Sequence, residues 1–147
     1  MNDPGAYGDE AEILSRYAIV IVDDEPNILN SLQRIFRREP YQSLFAASGA
    51  EGLKLVAETP RVAVIISDQR MPEMNGSEFL ARSREYAPDA IRMLLTGYSE
   101  MATTIAALNE GGATHYIAKP WDGPVLLQTV REAIRLYHQQ LTGTEPS

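Results

Sequence analysis

The sequence predicts an α/β fold, a doubly wound five-stranded parallel sheet in the order 2-1-3-4-5. Apolar or β-branched runs recur at 18–22, 41–47, 62–67, 91–96 and 114–118, with helix-patterned stretches between and after them. The runs at 18–22 and 62–66 carry no polar residue, as expected of strands covered on both faces. Repeated β-then-α units with right-handed crossovers make that strand order the natural one.

Taken in order, residues 1–16 (MNDPGAYGDEAEILSR) are acidic and rich in turn formers, and read as a flexible tail with a turn of helix at its end. After the first strand, Pro26 suits a first helical turn, and Ile28, Leu32 and Ile35 recur at helical spacing. Ser48-x-x-Glu51 is a capping box ahead of Leu53 and Val56. Ser99 suits the cap of a helix carrying Ala102, Ile105 and Leu108, stopped by Gly111-Gly112. Asp122 suits the cap of the last helix, where Leu127, Val130, Ile134, Tyr137 and Leu141 step by 3, 4, 3 and 4. The first half of that stripe reads as core. Its continuation to Leu141 suggests a helix outrunning the sheet toward a coiled-coil link or dimer seam, which two heptads do not decide. The expected organisation is a tail over 1–16, one domain over 17–141, and a C-terminal tail or cut linker over 142–147.

Composition narrows the function. A length of 147 residues is about one domain. Hydrophobic residues at 44% and charged ones at 22% match a folded globular chain. A net charge of −7 disfavours direct binding to nucleic acid or to an anionic membrane. The absence of cysteine removes disulfides, thiolate zinc sites and thiol nucleophiles. With no membrane-length apolar run and no signal-peptide pattern, a cytoplasmic location is expected.

In a sheet of this order, ligands bind beyond the carboxyl ends of the strands, where the strand order switches. Those ends carry Asp23-Asp24-Glu25, Asp68, Thr96-Gly97 and Lys119-Pro120. Singly, each has an ordinary explanation as a turn former, strand end or solvated charge. Together they bring carboxylates, a hydroxyl and an ammonium to one edge. Lys119 stands out because eleven of the thirteen bases are Arg and only Lys54 shares its type. Clustered carboxylates invite a divalent cation, and magnesium favours a few carboxylates plus phosphate oxygens and water. A carboxylate beside it can attack phosphorus and form an aspartyl phosphate. The Lys119 ammonium and the Thr96 hydroxyl then suit the transferred oxygens.

Through IVIVDDEP (19–26), IISDQRMPEMNG (65–76), LLTG (94–97) and YIAKP (116–120), the sequence resembles the receiver domain of two-component response regulators, over about residues 18–140. The resemblance implies the flavodoxin-like receiver fold, with Asp68 as phosphoacceptor. It implies Mg2+ held by Asp24 directly, Asp23 largely through water, Asp68, and the backbone carbonyl of Arg70. Thr96 and Lys119 then contact the phosphoryl group, and Lys119-Pro120 is a cis peptide. Asn75-Gly76 suits the tight turn opening the third helix of the βα array. Tyr116 matches the aromatic switch position, paired with Thr96. Arg70 and Tyr98 fall at rim positions that tune the lifetime of the phosphate.

The implied partners are a sensor histidine kinase or phosphotransfer protein, and an output domain or effector. The implied relay surface, and a possible homodimer interface, is the face made by the helix after Ser99, the strand 114–118 and the last helix. The module catalyses only its own phosphorylation and dephosphorylation, and is not an enzyme in the usual sense. A phosphorylation-independent interaction domain is the alternative. A hydrolase of the aspartyl-phosphatase kind is disfavoured, because Asp23-Asp24-Glu25 lacks its D-x-D spacing. The wording SDQRMPEMNG, LLTGYSE and KPWD is similar to receivers joined to transcription activators or to HD-GYP-type cyclic-di-GMP phosphodiesterases. His115 and His138 lack metal-ligand spacing and read as strand-edge and helix-surface residues. Arg34, Arg37 and Arg38 read as a solvated helix face, and Trp121 as a loop anchor or a partner contact.

Overall fold

The computed structural model describes residues 4–97 and 113–143. Its elements are α1 (Pro4–Ser15), β1 (Ala18–Val22), α2 (Pro26–Phe36), β2 (Gln42–Ala46), α3 (Gly49–Glu58), β3 (Val62–Asp68), α4 (Gly76–Ser83), β4 (Ile91–Thr96), β5 (His115–Ala118) and α5 (Gly123–Thr142). The strands form one parallel sheet in the order β2-β1-β3-β4-β5, as the sequence predicts. The helix expected after Ser99, its Gly111-Gly112 stop and Tyr98 lie outside the described residues.

Because successive side chains on a strand point to opposite faces, the central strands feed two cores. Ile19, Ile21, Val64, Ile66, Met93 and Leu95 pack with Leu32 and Phe36 of α2 and with Leu126, Val130 and Ile134 of α5. Val20, Val22, Ile65 and Leu94 pack with Val56 of α3 and with Phe79 and Leu80 of α4. Covering on both faces is what the unbroken apolar runs demand.

The helix ends follow their caps. Ser48 Oγ accepts the Glu51 N–H at 3.1 Å, while the Glu51 carboxylate takes the N–H of Ala47 (2.9 Å). That box thus closes one residue early. Asn75 and Glu78 make a full reciprocal box at α4, and Asp122 accepts the Val125 N–H at 3.0 Å.

Two expectations need correction. The segment expected as a flexible tail is largely helical. Leu14 and Tyr17 are buried, Glu10 pairs with Arg135, and Tyr17 stacks edge-on against Tyr137 with ring centroids 5.5 Å apart. Tertiary contact supplies what the composition lacks. His138 is likewise not a plain surface residue, since its Nδ1 lies 2.6 Å from the Tyr17 hydroxyl. In α5 the buried residues are Leu126, Val130, Ala133 and Ile134. Val130 and Ile134 are buried as the stripe predicts, Leu127 and Tyr137 flank the core, and Leu141 is exposed beyond it.

Arg92 is buried within β4. It donates to the carbonyls of Leu80, Ala87 and Ala90 (3.2, 2.5 and 2.7 Å) and to the Ser83 hydroxyl (3.1 Å). It thereby satisfies groups left open where α4 ends. Burial pushes its guanidinium down to about 10, helped by nearby Arg84, which leaves it charged at neutral pH. Replacing it with Met strands those acceptors. Urea denaturation of R92M is expected to show a loss of about 3 kcal/mol; wild-type stability would contradict this.

Candidate functional site

The carboxyl ends of β1, β3, β4 and β5 share one edge, and parallel pairing fixes their level. Val22 is opposite Ser67, Asp68 opposite Leu95, and Thr96 opposite Ala118. The residues that follow these strands therefore converge. Asp23, Asp24 and Asp68 each offer a carboxylate oxygen within 4.8 Å of the others. Asp23 is fully buried and Asp68 nearly so, while Asp24 is half-buried.

Lys119 reaches in from the end of β5. Its Nζ donates to Asp68 Oδ1 at 2.8 Å and to Asp23 Oδ2 at 3.4 Å. The other Asp23 oxygen accepts the Glu25 N–H at 2.9 Å, which orients that carboxylate. Desolvation pushes the Asp23 carboxyl above the usual carboxylate range, against the bonds from Glu25 and Lys119. Desolvation also raises Asp68; Lys119 opposes this, and the charges of Asp23 and Asp24 add to it. Burial alone would lower Lys119, but its contacts with Asp68 and Asp23 outweigh burial and raise it.

Thr96 is buried, and its hydroxyl approaches the Gly97 carbonyl at 3.4 Å. Arg70 is exposed at the rim. The Lys119-Pro120 peptide is cis, as the resemblance implies. Tyr116 lies on β5 with 46% of its surface exposed. Trp121 is partly buried against the α5 side of the core, and His115 is exposed on β5. Arg34, Arg37 and Arg38 are exposed.

The structure adds a residue that sequence reasoning passed over. Gln69 directly follows Asp68 and is buried. Its Oε1 accepts both the N–H and the hydroxyl of Ser77 at 3.0 Å, and its carbonyl accepts the Gly76 N–H at 3.0 Å. A glutamine after an acidic strand end carries no signal of its own. The full Asn75-x-x-Glu78 box, by contrast, was open to reading.

The response regulator receiver domain profile matches residues 19–131. The chain belongs to that family. As a receiver it is 43% identical over 122 residues to the hydrogenase transcriptional regulatory protein HoxA of Bradyrhizobium diazoefficiens, covering 83% of this chain and 25% of that protein. It is 31% identical to the sporulation initiation phosphotransferase F of Bacillus subtilis, covering 81% of this chain and 91% of that one. A similar solved structure is the signal receiver domain of an HD domain-containing protein from Pseudomonas fluorescens Pf-5. The TM-score is 0.79 at 34% identity, over 86% of this chain and 92% of that one. The chain spans about a quarter of the length of the first curated relatives it matches. Receiver domains of this family work in two-component signalling and are not conventional enzymes.

Receivers generally bind Mg2+ at an acidic pocket, and the donor set here fits that ion. The oxygens are hard, closely spaced and partly buried, and α2 starts beside them. Gly76 shows how tightly the site is backed. A Cβ there would stand 2.3 Å from the Asp68 carbonyl oxygen and 3.0 Å from Gln69 Cα. Gly76→Ala therefore forces β3 and α4 apart. A loss of about 1–3 kcal/mol in chemical denaturation is expected, with the Asp68 amide resonance displaced. An unmoved Asp68 resonance would contradict the contact.

Proposed function

We propose that this receiver accepts a phosphoryl group on Asp68 from a histidine kinase or a phosphotransfer protein. The observation that carries this reading is the Lys119 contact with both Asp68 and Asp23 at the edge where the carboxylates gather. An Asp68 oxygen attacks phosphorus, the phosphorus–nitrogen bond of the donor phosphohistidine breaks, and the ring, already protonated at its other nitrogen, leaves with the bonding pair as neutral imidazole. Asp23, Asp24, Asp68 and the Arg70 carbonyl are the groups that would hold Mg2+. When bound, the ion supplies positive charge to the equatorial phosphoryl oxygens. Lys119 supplies a second positive charge, and the Thr96 hydroxyl a hydrogen bond.

The new dianionic group then biases a two-state element. Thr96 turns toward the phosphate, and Tyr116, exposed at present, follows inward. The relay face comprises the region after Ser99, β5 and α5. Through it the domain engages an output domain, an effector or a second copy of itself, in the cytoplasm. The relatives make a transcriptional regulator or an HD-type protein the leading kinds of output.

Incubation with acetyl phosphate and magnesium chloride is expected to add one hydroxylamine-labile phosphoryl group. Asp68→Asn or chelation by EDTA abolishes it. Labelling of D68N at the wild-type level would remove Asp68 from the role. At the rim, bulk at Arg70 and Tyr98 is proposed to hinder the water that hydrolyses the phosphate. The double variant R70N/Y98A is expected to lose label several-fold faster in a pulse-chase, and an unchanged decay would contradict that role.

A further inference from the structure

The loop 70–75 carries the Arg70 carbonyl, and its geometry is closed at the neck by Gln69. The Gln69 carbonyl takes the Gly76 N–H, and its side chain takes two more donors from Ser77. Those N–H groups belong to the first turn of α4, where no intrahelical partner exists. A buried amide oxygen with two donors is held in one orientation. Nothing smaller reaches, and an apolar side chain would leave the Ser77 N–H without an acceptor.

Inside the neck the loop is strained. Glu73 sits at φ 69°, and the Met74 N–H closes a three-residue γ-turn onto the Pro72 carbonyl at 2.7 Å. Such turns are uncommon and persist only where the surroundings over-determine them. On one side Met71 and Met74 pack against the α3–α4 side of the core. On the other, the Gln69 bonds fix both ends of the segment. If they are cut, the loop can relax its turn, and the residues between Gln69 and that turn are Arg70 and Met71.

We propose that Gln69 is a positioning residue for cation binding. By tying the end of β3 to the first turn of α4, it restrains the segment that carries the Asp68 carboxylate and the Arg70 carbonyl, two of the groups that would hold one divalent ion. This rests on the cation-holding part of the reading above, in which Asp23, Asp24, Asp68 and the Arg70 carbonyl hold the ion. Supporting groups of this kind, which fix ligands without touching the metal, carry a large share of affinity in metal sites.

The test is calorimetric titration of the folded chain with magnesium chloride alone, for wild type, Gln69→Met and Arg92→Met. Methionine matches glutamine in length and removes the acceptor. R92M loosens the far end of the same helix and serves as the stability control. The proposal expects Q69M to weaken magnesium binding about tenfold, with R92M within twofold of wild type. In acetyl phosphate labelling, the magnesium concentration for half-maximal rate rises in parallel for Q69M.

Wild-type affinity in Q69M overturns the proposal, as does an equal loss in R92M, which would make the effect one of general stability. If Q69M fails to fold, Ser77→Ala, which removes one of the two side-chain bonds, is expected to show a smaller weakening of the same sign; no weakening there overturns it too. Wild-type chain that binds magnesium but takes no label would sink the phosphoacceptor reading while leaving the positioning role intact. Wild-type chain that binds no magnesium sinks both.

Discussion

The structure depends on holding three carboxylates within 4.8 Å of one another at the edge of a hydrophobic sheet. At that spacing each ionised pair repels by about 3 kcal/mol for an effective dielectric near 20. Burial of Asp23 and Asp68 adds a desolvation cost. Lys119 offsets part of this, but one ammonium does not balance three carboxylates. The fold therefore builds a site with unspent negative charge, and much of the packing around it resists the tendency of the cluster to spread.

That resistance is visible in α4. Its N-terminus is pinned to β3 by Gln69 and by the absence of a side chain at Gly76. Gly52 plays a matching part for α3. A Cβ there would meet Val22 at 2.6 Å and Phe79 at 2.7 Å, so α3 lies hard against both β1 and α4. The two strands that end in Asp23 and Asp68 thus share a rigid backing.

The strand order and the gathering of Asp23, Asp24, Asp68 and Lys119 at one edge were legible because they follow from local rules. Buried parallel strands read as unbroken apolar runs, and polar residues directly after them must lie at the ligand edge. The motif wording pointed to the family that the chain belongs to. Features that arise only in three dimensions were not legible. Nothing local says that Arg92, inside an otherwise apolar strand, would end a helix twelve residues away, or that Gln69 would cap one eight residues ahead. The helix α1 escaped for the opposite reason. Its acidic, turn-rich composition argues for a tail, and only the contacts of Leu14 and Tyr17 with the rest of the core make order favourable. In α5 the stripe is buried where it was read, at Val130 and Ile134, but of the adjacent leucines 126 and 127 the sheet buries Leu126 and leaves Leu127 at the flank.

The central claim is electrostatic: crowded carboxylates are the feature that a cation relieves. Thermal unfolding of wild type and Asp24→Asn, each with and without magnesium chloride, tests it most directly, because Asp24 is the least buried of the three. Removing its charge should raise the melting temperature in the absence of the ion and abolish the rise that magnesium gives the wild type. A wild-type melting temperature indifferent to magnesium, or an Asp24→Asn chain that is less stable without the ion, would contradict the account.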